Sequence, residues 1–302
     1  MLVFVTLLLI VVVGVDIALE RNILITQFLR DSAVNSVRDE GFTCSPTTVN
    51  TSSIEYHSRH RYYTLMKGMN LPPPVFRANH TVLCNASDSL KNDLAYGYCL
   101  PISGRKDAPF CAGADRMDLL TQQSRGTRCY ASVLHMLLVE VCEELQAFGR
   151  TPLVVFGSLL GAVRNGSMIP FTEDTDIAYS GELSEDDEVG RALVQKGYHF
   201  FFLNIWRVCV APTHPLAASL YGSTLPIAQA YKIPYLDLYA MEQLNDTTWT
   251  IEGYRGDTIP ADKVQPFSQV TINGLPFDTV HDPNYFLEEM YGDDYMVPKP
   301  RG

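Results

Sequence analysis

The stretch 153–179, LVVFGSLLGAVRNGSMIPFTEDTDIAY, constrains this chain more than any other. The apolar run 152–156 reads as a short buried strand. Gly157 and Ser158 break it and open a helix over 159–164, with Ser158 as its cap. Asn165-Gly166 is a turn signal. Asp176-Ile177-Ala178-Tyr179 then begins a second strand. A strand, a glycine turn, a helix and another strand in so few residues call for an α/β arrangement.

The flanks agree. Leu134, Leu137, Leu138, Val141, Leu145 and Phe148 follow a helical spacing, and Gly149 is placed to end that helix. Residues 185–196 read as an amphipathic helix with a solvated acidic start, Glu185-Asp186-Asp187-Glu188. Residues 198–210 predict one or two strands, 235–239 another, and Asn273-Gly274 a hairpin between 270–272 and 275–277. Residues 283–291 predict a closing helix. The expected fold class is α/β with a mixed sheet of the α+β kind.

The N-terminus points to export. Residues 1–15, MLVFVTLLLIVVVGV, carry no charge and are short for a membrane span. They predict a signal peptide or signal anchor over 1–19; a buried N-terminal strand is the alternative. Asn50, Asn79, Asn85 and Asn245 begin N-glycosylation sequons. Asn165 begins another, expected to stay unused because a glycan there would crowd the site proposed below. Of seven cysteines, four lie between 44 and 111, which suits disulfides in an oxidising lumen. The odd number leaves a thiol over, with Cys142 or Cys209 as a buried free one. Residues 20–128 read as a stem or small disulfide-containing region, in which His57 and His60 are a surface pair. Residues 129–302 read as a separate mixed α/β domain. The expected location is the secretory pathway, in the Golgi or ER lumen as a single-pass membrane protein, or outside the cell if the segment is cleaved.

Composition excludes some classes. With 46% hydrophobic residues the chain is not disordered. A formal charge of -11 argues against non-specific nucleic-acid binding, which needs clustered cations. Where the carboxylates stand matters more. Asp174 and Asp176 are i and i+2, so in a strand they share a face. Two carboxylates there repel unless a cation lies between them, and oxygen ligands suit Mg²⁺ or Mn²⁺. Asp237 lies in an apolar strand, either as a third site residue or on an edge strand facing solvent. Three such carboxylates opposite a turn whose N–H groups favour anions would make a phosphoryl-transfer site. Lys232 could add a phosphate contact, and a solvated acidic turn is the plain alternative for the whole motif.

These residues carry a resemblance. Gly157-Ser158-Leu159-Leu160-Gly161-Ala162-Val163-Arg164, then Ile169-Pro170-Phe171, then Asp174-Thr175-Asp176-Ile177 resemble the signature of the LicD family, of the nucleotidyltransferase-fold superfamily. The run 282–295, with Tyr291-Gly292, is similar to that family's closing segment. The resemblance implies a nucleotidyltransferase-like catalytic domain and a metal-dependent phosphotransferase. Such an enzyme moves a phospho-alcohol unit, such as phosphocholine or ribitol phosphate, from a CDP-activated donor to a glycan acceptor. It implies metal binding by Asp174 and Asp176, with Asp237 as the third carboxylate, which also helps deprotonate the acceptor. Gly157 and Ser158 match the nucleotide-phosphate turn. Arg164 matches a basic position that pairs with a phosphate or forms a structural salt bridge. Thr175 departs from the apolar residue usual between the two aspartates. Two other readings remain: a DxD-type Golgi glycosyltransferase using a nucleotide sugar, and a non-catalytic member of the fold that binds a glycan or a partner enzyme.

Overall fold

The computed structural model describes residues 42–91, 99–121, 126–184, 186–227 and 234–298. The expected signal segment 1–19, Glu185 and Lys232 lie outside the described residues. No helix among the described residues is long and apolar enough to cross a membrane. The chain divides into two compact units. The described part of the first is a short antiparallel pair, β1 (Thr43–Cys44) with β2 (Phe76–Arg77). The second unit comprises Ser45–Val75 and Val82–Gly302 and contains everything that follows.

Helix α1 (Arg61–Gly68) starts at His60, whose Nδ1 accepts from the Tyr62 N–H at 3.2 Å. Helix α2 (Tyr130–Ala147) is buried over most of its circumference, as a helix with apolar residues all round must be. Next come β3 (Pro152–Val154), α3 (Phe156–Asn165) and β4 (Asp174–Ser180). Helix α4 (Glu188–Gln195) is capped by Asp187 and leads into β5 (Tyr198–Leu203) and β6 (Ile205–Val210). Residues 198–210 thus give two strands, which reverse at Asn204 with φ +61°. After α5 (Ala217–Leu220), β7 (Tyr235–Asn245) runs six residues past the expected 235–239, then β8 (Thr248–Ile251) and β9 (Ile259–Pro260). The order β3-β4-β7-β6-β5, with β8 on β7 and β9 on β8, makes a mixed sheet. Only β4–β7 is parallel among its named pairs. The expected α/β class is the observed one.

The C-terminal part follows its local signals. After α6 (Ala261–Val264), β10 (Ser268–Ile272) and β11 (Leu275–Thr279) form the expected hairpin. Asn273 and Gly274 both take positive φ, the turn that matches strand twist. The Thr279 hydroxyl donates to the Val154 carbonyl at 2.7 Å, tying the hairpin to β3. Helix α7 (Pro283–Tyr291) has Asp282 as cap and Pro283 in its first turn.

One expectation is corrected and one alternative is decided. Helix α3 begins at Phe156 with Val155 at the cap position, so Ser158 lies inside the first turn and caps nothing. Phe156 has φ +45°, which lets the chain turn from β3 into the helix in one residue. Its ring packs against Tyr239 and Phe286, which hold that conformation. Cys209 is not free: it is bonded to Cys99, and Cys111 to Cys129, while Cys142 is free and buried. The two histidines also have structural duties. His57 pairs with buried Glu144 at 3.2 Å, and His60 caps α1. The Tyr62 hydroxyl donates to the Met136 sulfur of α2 at 3.1 Å, so residues 45–75 share the core of that helix.

Candidate functional site

Strand pairing explains how three distant carboxylates meet. Asp174 and Asp176 project from the same face of β4. The parallel register sets Asp176 beside Asp237 on β7. One carboxylate oxygen from each of Asp174, Asp176 and Asp237 lies within 4.8 Å of the others. β7 sits between β4 and β6, so Asp237 is interior and the edge-strand alternative falls.

The start of α3 closes one side. The Ser158 N–H donates to Asp176 Oδ2 at 3.2 Å, and the Asp176 N–H donates to the Ser158 hydroxyl at 2.7 Å. A methyl group at Gly157 would stand 3.1 Å from Asp176 Oδ2. Glycine there is explained by this carboxylate's approach. The anion the helix terminus faces in this structure is the Asp176 side chain, whose negative charge suits the positive end of the helix dipole. Thr175, which stood out in sequence as polar where an apolar residue is usual, is fully buried. Its hydroxyl and that of Ser158 share a hydrogen bond of 2.7 Å. Gly161 serves the same turn: a Cβ there would sit 2.5 Å from the Ser167 carbonyl, so the returning loop needs its absence.

Two residues that sequence reading missed complete the arrangement. Arg207 on β6 lies opposite Asp237, and its Nε donates to Asp237 Oδ1 at 2.6 Å. Its Nη1 donates to the Leu203 carbonyl at 2.8 Å. The signal was an arginine inside an otherwise apolar strand, which has to find a carboxylate. Tyr239, two residues after Asp237 and so on the same face, places its hydroxyl 3.3 Å from Asp237 Oδ2 and 3.4 Å from Asp176 Oδ1. Asp174 accepts from the Thr172 hydroxyl at 2.5 Å. Glu173, beside it, is ion-paired with Lys106.

The electrostatics are lopsided. Among the described residues, Arg207 is the only cation ion-paired with the three carboxylates. Burial pushes the Asp176 carboxyl well above the usual range, and the charges of Asp174 and Asp237 push it further; the Ser158 and Gly157 N–H groups oppose this. Burial also raises Asp237 to about 6, against the pull of Arg207. The Tyr291 hydroxyl at the end of α7 is raised by burial first, then by Asp176 and Asp174, which puts that helix end within the site's field. Buried carboxylates in this state need a proton or a cation. A set of three oxygen donors with surplus negative charge fits a hard divalent ion such as Mg²⁺ or Mn²⁺.

Arg164 is held elsewhere. Its Nε donates to the Tyr295 carbonyl at 2.8 Å and its Nη2 to the carbonyls of Tyr295 and Val297. Among the described residues it is in no salt bridge; it fastens the segment after α7 to α3. Asn165, the last residue of α3, is exposed and seven residues along the helix from Ser158, about 10 Å by helical rise. The expected crowding of the site by a glycan there does not follow from this geometry.

Residues 150–279 match the family model described as LicD/FKTN/FKRP, nucleotidyltransferase domain. No curated protein matches the chain.

Proposed function

We propose a specific reaction for this chain, whose residues 150–279 match the LicD family model and so suggest a phosphotransferase-type transferase. The protein transfers a phospho-alcohol unit from a CDP-activated donor to a glycan hydroxyl. The observation that carries this reading is the convergence of Asp174, Asp176 and Asp237 within 4.8 Å, with a single guanidinium ion-paired to them among the described residues.

Asp174 and Asp176 would hold the divalent ion, with Asp237 completing the set. When bound, the ion supplies Lewis-acid stabilisation of charge on the phosphoryl oxygens. The protein's own groups do the rest. Arg207 fixes Asp237 through Oδ1, which leaves Oδ2 towards the cluster beside Tyr239. Asp237 Oδ2 takes the proton of the acceptor hydroxyl. The acceptor oxygen forms its bond to the transferred phosphorus, the bond from that phosphorus to the bridging oxygen breaks, and CMP leaves with the electron pair. The Ser158 N–H and the α3 terminus orient Asp176. The disulfides Cys99–Cys209 and Cys111–Cys129 support placing this chemistry in an oxidising lumen, in the ER or Golgi, with residues 1–19 as signal or anchor.

The test is a thermal-shift and turnover screen of CDP-, UDP- and GDP-linked donors with Mg²⁺, Mn²⁺ or EDTA. A metal-dependent response confined to CDP donors, lost in Asp174→Asn and Asp176→Asn, is the expected result. A response to UDP- or GDP-sugars makes the protein a glycosyltransferase instead, and no response to any donor leaves a non-catalytic binding member of the fold.

A further inference from the structure

A second concavity lies away from the acidic cluster and shares no residue with it. It has a volume of about 370 Å³, in the range of small-molecule sites. Helix α2 forms one wall, the hairpin β10–β11 another, and residues 58, 60 and 116 close it. Its floor is buried and apolar, with Val139, Cys142 and Phe277 each less than a tenth exposed. Arg116 lines it too and is only 1% exposed.

Arg116 is anchored on one side only. Its guanidinium stands over the rings of Tyr62 and Tyr63, and Nη1 donates to the Tyr63 hydroxyl at 3.2 Å. Its Nε is buried with no partner among the described residues. A buried N–H left without an acceptor is costly, so a ligand in the cavity that offers one is favoured. The other polar groups lining the cavity are of both kinds. His60 accepts the Tyr62 N–H at Nδ1, so its proton is on Nε2, which can donate. Ser58 and Gln146 can donate and accept, while Glu143 and Asp278 accept. One fixed cation faces two carboxylates, so a simple anion is repelled. Donors and acceptors together around an apolar floor match a ligand whose every polar group does both, which is the chemistry of hydroxyl groups on a carbon skeleton.

We propose that this cavity binds a neutral polyhydroxylated ligand of monosaccharide size. One ring hydroxyl accepts from Arg116 Nε, others bridge Gln146 to Glu143 or Asp278, and the carbon face rests on Phe277. The assignment does not depend on the transfer reaction and uses Ser58, His60, Arg116 and α2, all outside the family-matched segment 150–279.

The test is saturation-transfer NMR and calorimetry on the full chain in EDTA with four probes: methyl galactoside, methyl mannoside, methyl xyloside and N-acetylglucosamine. At least one should bind saturably at millimolar concentration or better. Ser58→Trp, which fills the cavity from its partly exposed rim, and Gln146→Ala should each weaken that binding about tenfold or more while the melting temperature stays near wild type. Asp174→Asn should bind the sugar as wild type does, which separates this cavity from the transfer site. Arg116→Met should also abolish binding where it folds; the two rim variants keep the test open where it does not. Failure of all four sugars, binding unchanged in Ser58→Trp, or saturable binding of inorganic phosphate in place of the sugars overturns the proposal.

Discussion

Two clusters of buried acid in this protein are treated in opposite ways. On α2, Glu140 and Glu144 are almost wholly buried, and Lys196 is ion-paired with both. His57 pairs with Glu144 as well. In the β4–β7 cluster, the arginine that faces three carboxylates is ion-paired, among the described residues, with Asp237. Burial raises an acid in each, Glu140 to about 7 and Asp237 to about 6. The first cluster carries its own counter-charge, which marks it as part of the scaffold. The second has one cation for three carboxylates, with Asp174 and Asp176 in no ion pair among the described residues, so it has room for a cation's charge.

The largest effect should come from breaking the balanced cluster. Lys196→Met strands two buried carboxylates and should cost about 3–5 kcal/mol in denaturant unfolding. Asp176→Asn, which removes a charge from the unbalanced cluster, should leave the metal-free melting temperature unchanged or raised. Comparable losses from both substitutions would erase the contrast.

Metal binding comes next. At about 100 times its dissociation constant, Mn²⁺ should stabilise the wild type by about 2.7 kcal/mol and Asp176→Asn by almost nothing. The gain should be larger at pH 7.5 than at pH 5. Asp237 has a folded pKa of about 6, above its ordinary 3.8, so its contribution in the metal-free protein is complete below pH 3.8. That contribution is lost as pH rises through 6. The ion competes with the proton and restores it on the alkaline side. Buried His135 and His214, lowered to about 4 and about 3, lose stability on acidification with or without metal, so they cancel from the difference. A metal shift that is flat with pH would mean the ion binds elsewhere.

Smaller effects sharpen the picture of the turn. Gly161→Ala forces a methyl to within 2.5 Å of the Ser167 carbonyl and should cost about 1–3 kcal/mol in thermal unfolding. Tyr239→Phe removes one hydroxyl shared by Asp176 and Asp237 and should cost about 0.5–1.5 kcal/mol at most. Its turnover should fall more than its stability, measured on the same preparation.

Legibility followed the range of the interactions. The hairpin at Asn273-Gly274, the closing helix 283–291 and the long helix ending near Gly149 rest on neighbours a few residues apart, and sequence predicted all three. The pairing of Asp174 with Asp176 was legible for the same reason. Arg207 was not, because its meaning depends on β6 lying against β7. Sequence left the free thiol open between Cys142 and Cys209 for a like reason, since the partner of Cys209, Cys99, is 110 residues away. Tyr62, Tyr63 and Arg116 carry no apolar rhythm, and they reach α2 through a hydroxyl, stacked rings and a guanidinium. Ser158 looked like a cap because it follows a glycine, but the left-handed Phe156 starts the helix three residues sooner.

Asp176 holds the first turn of α3 with the same side chain that faces Asp174 and Asp237. Any ion that draws density from that carboxylate competes with the amides of Gly157 and Ser158 for it. Occupancy of the cluster should therefore be audible in the backbone: deuterium uptake at those two amides would report a filled or emptied centre with no substrate present.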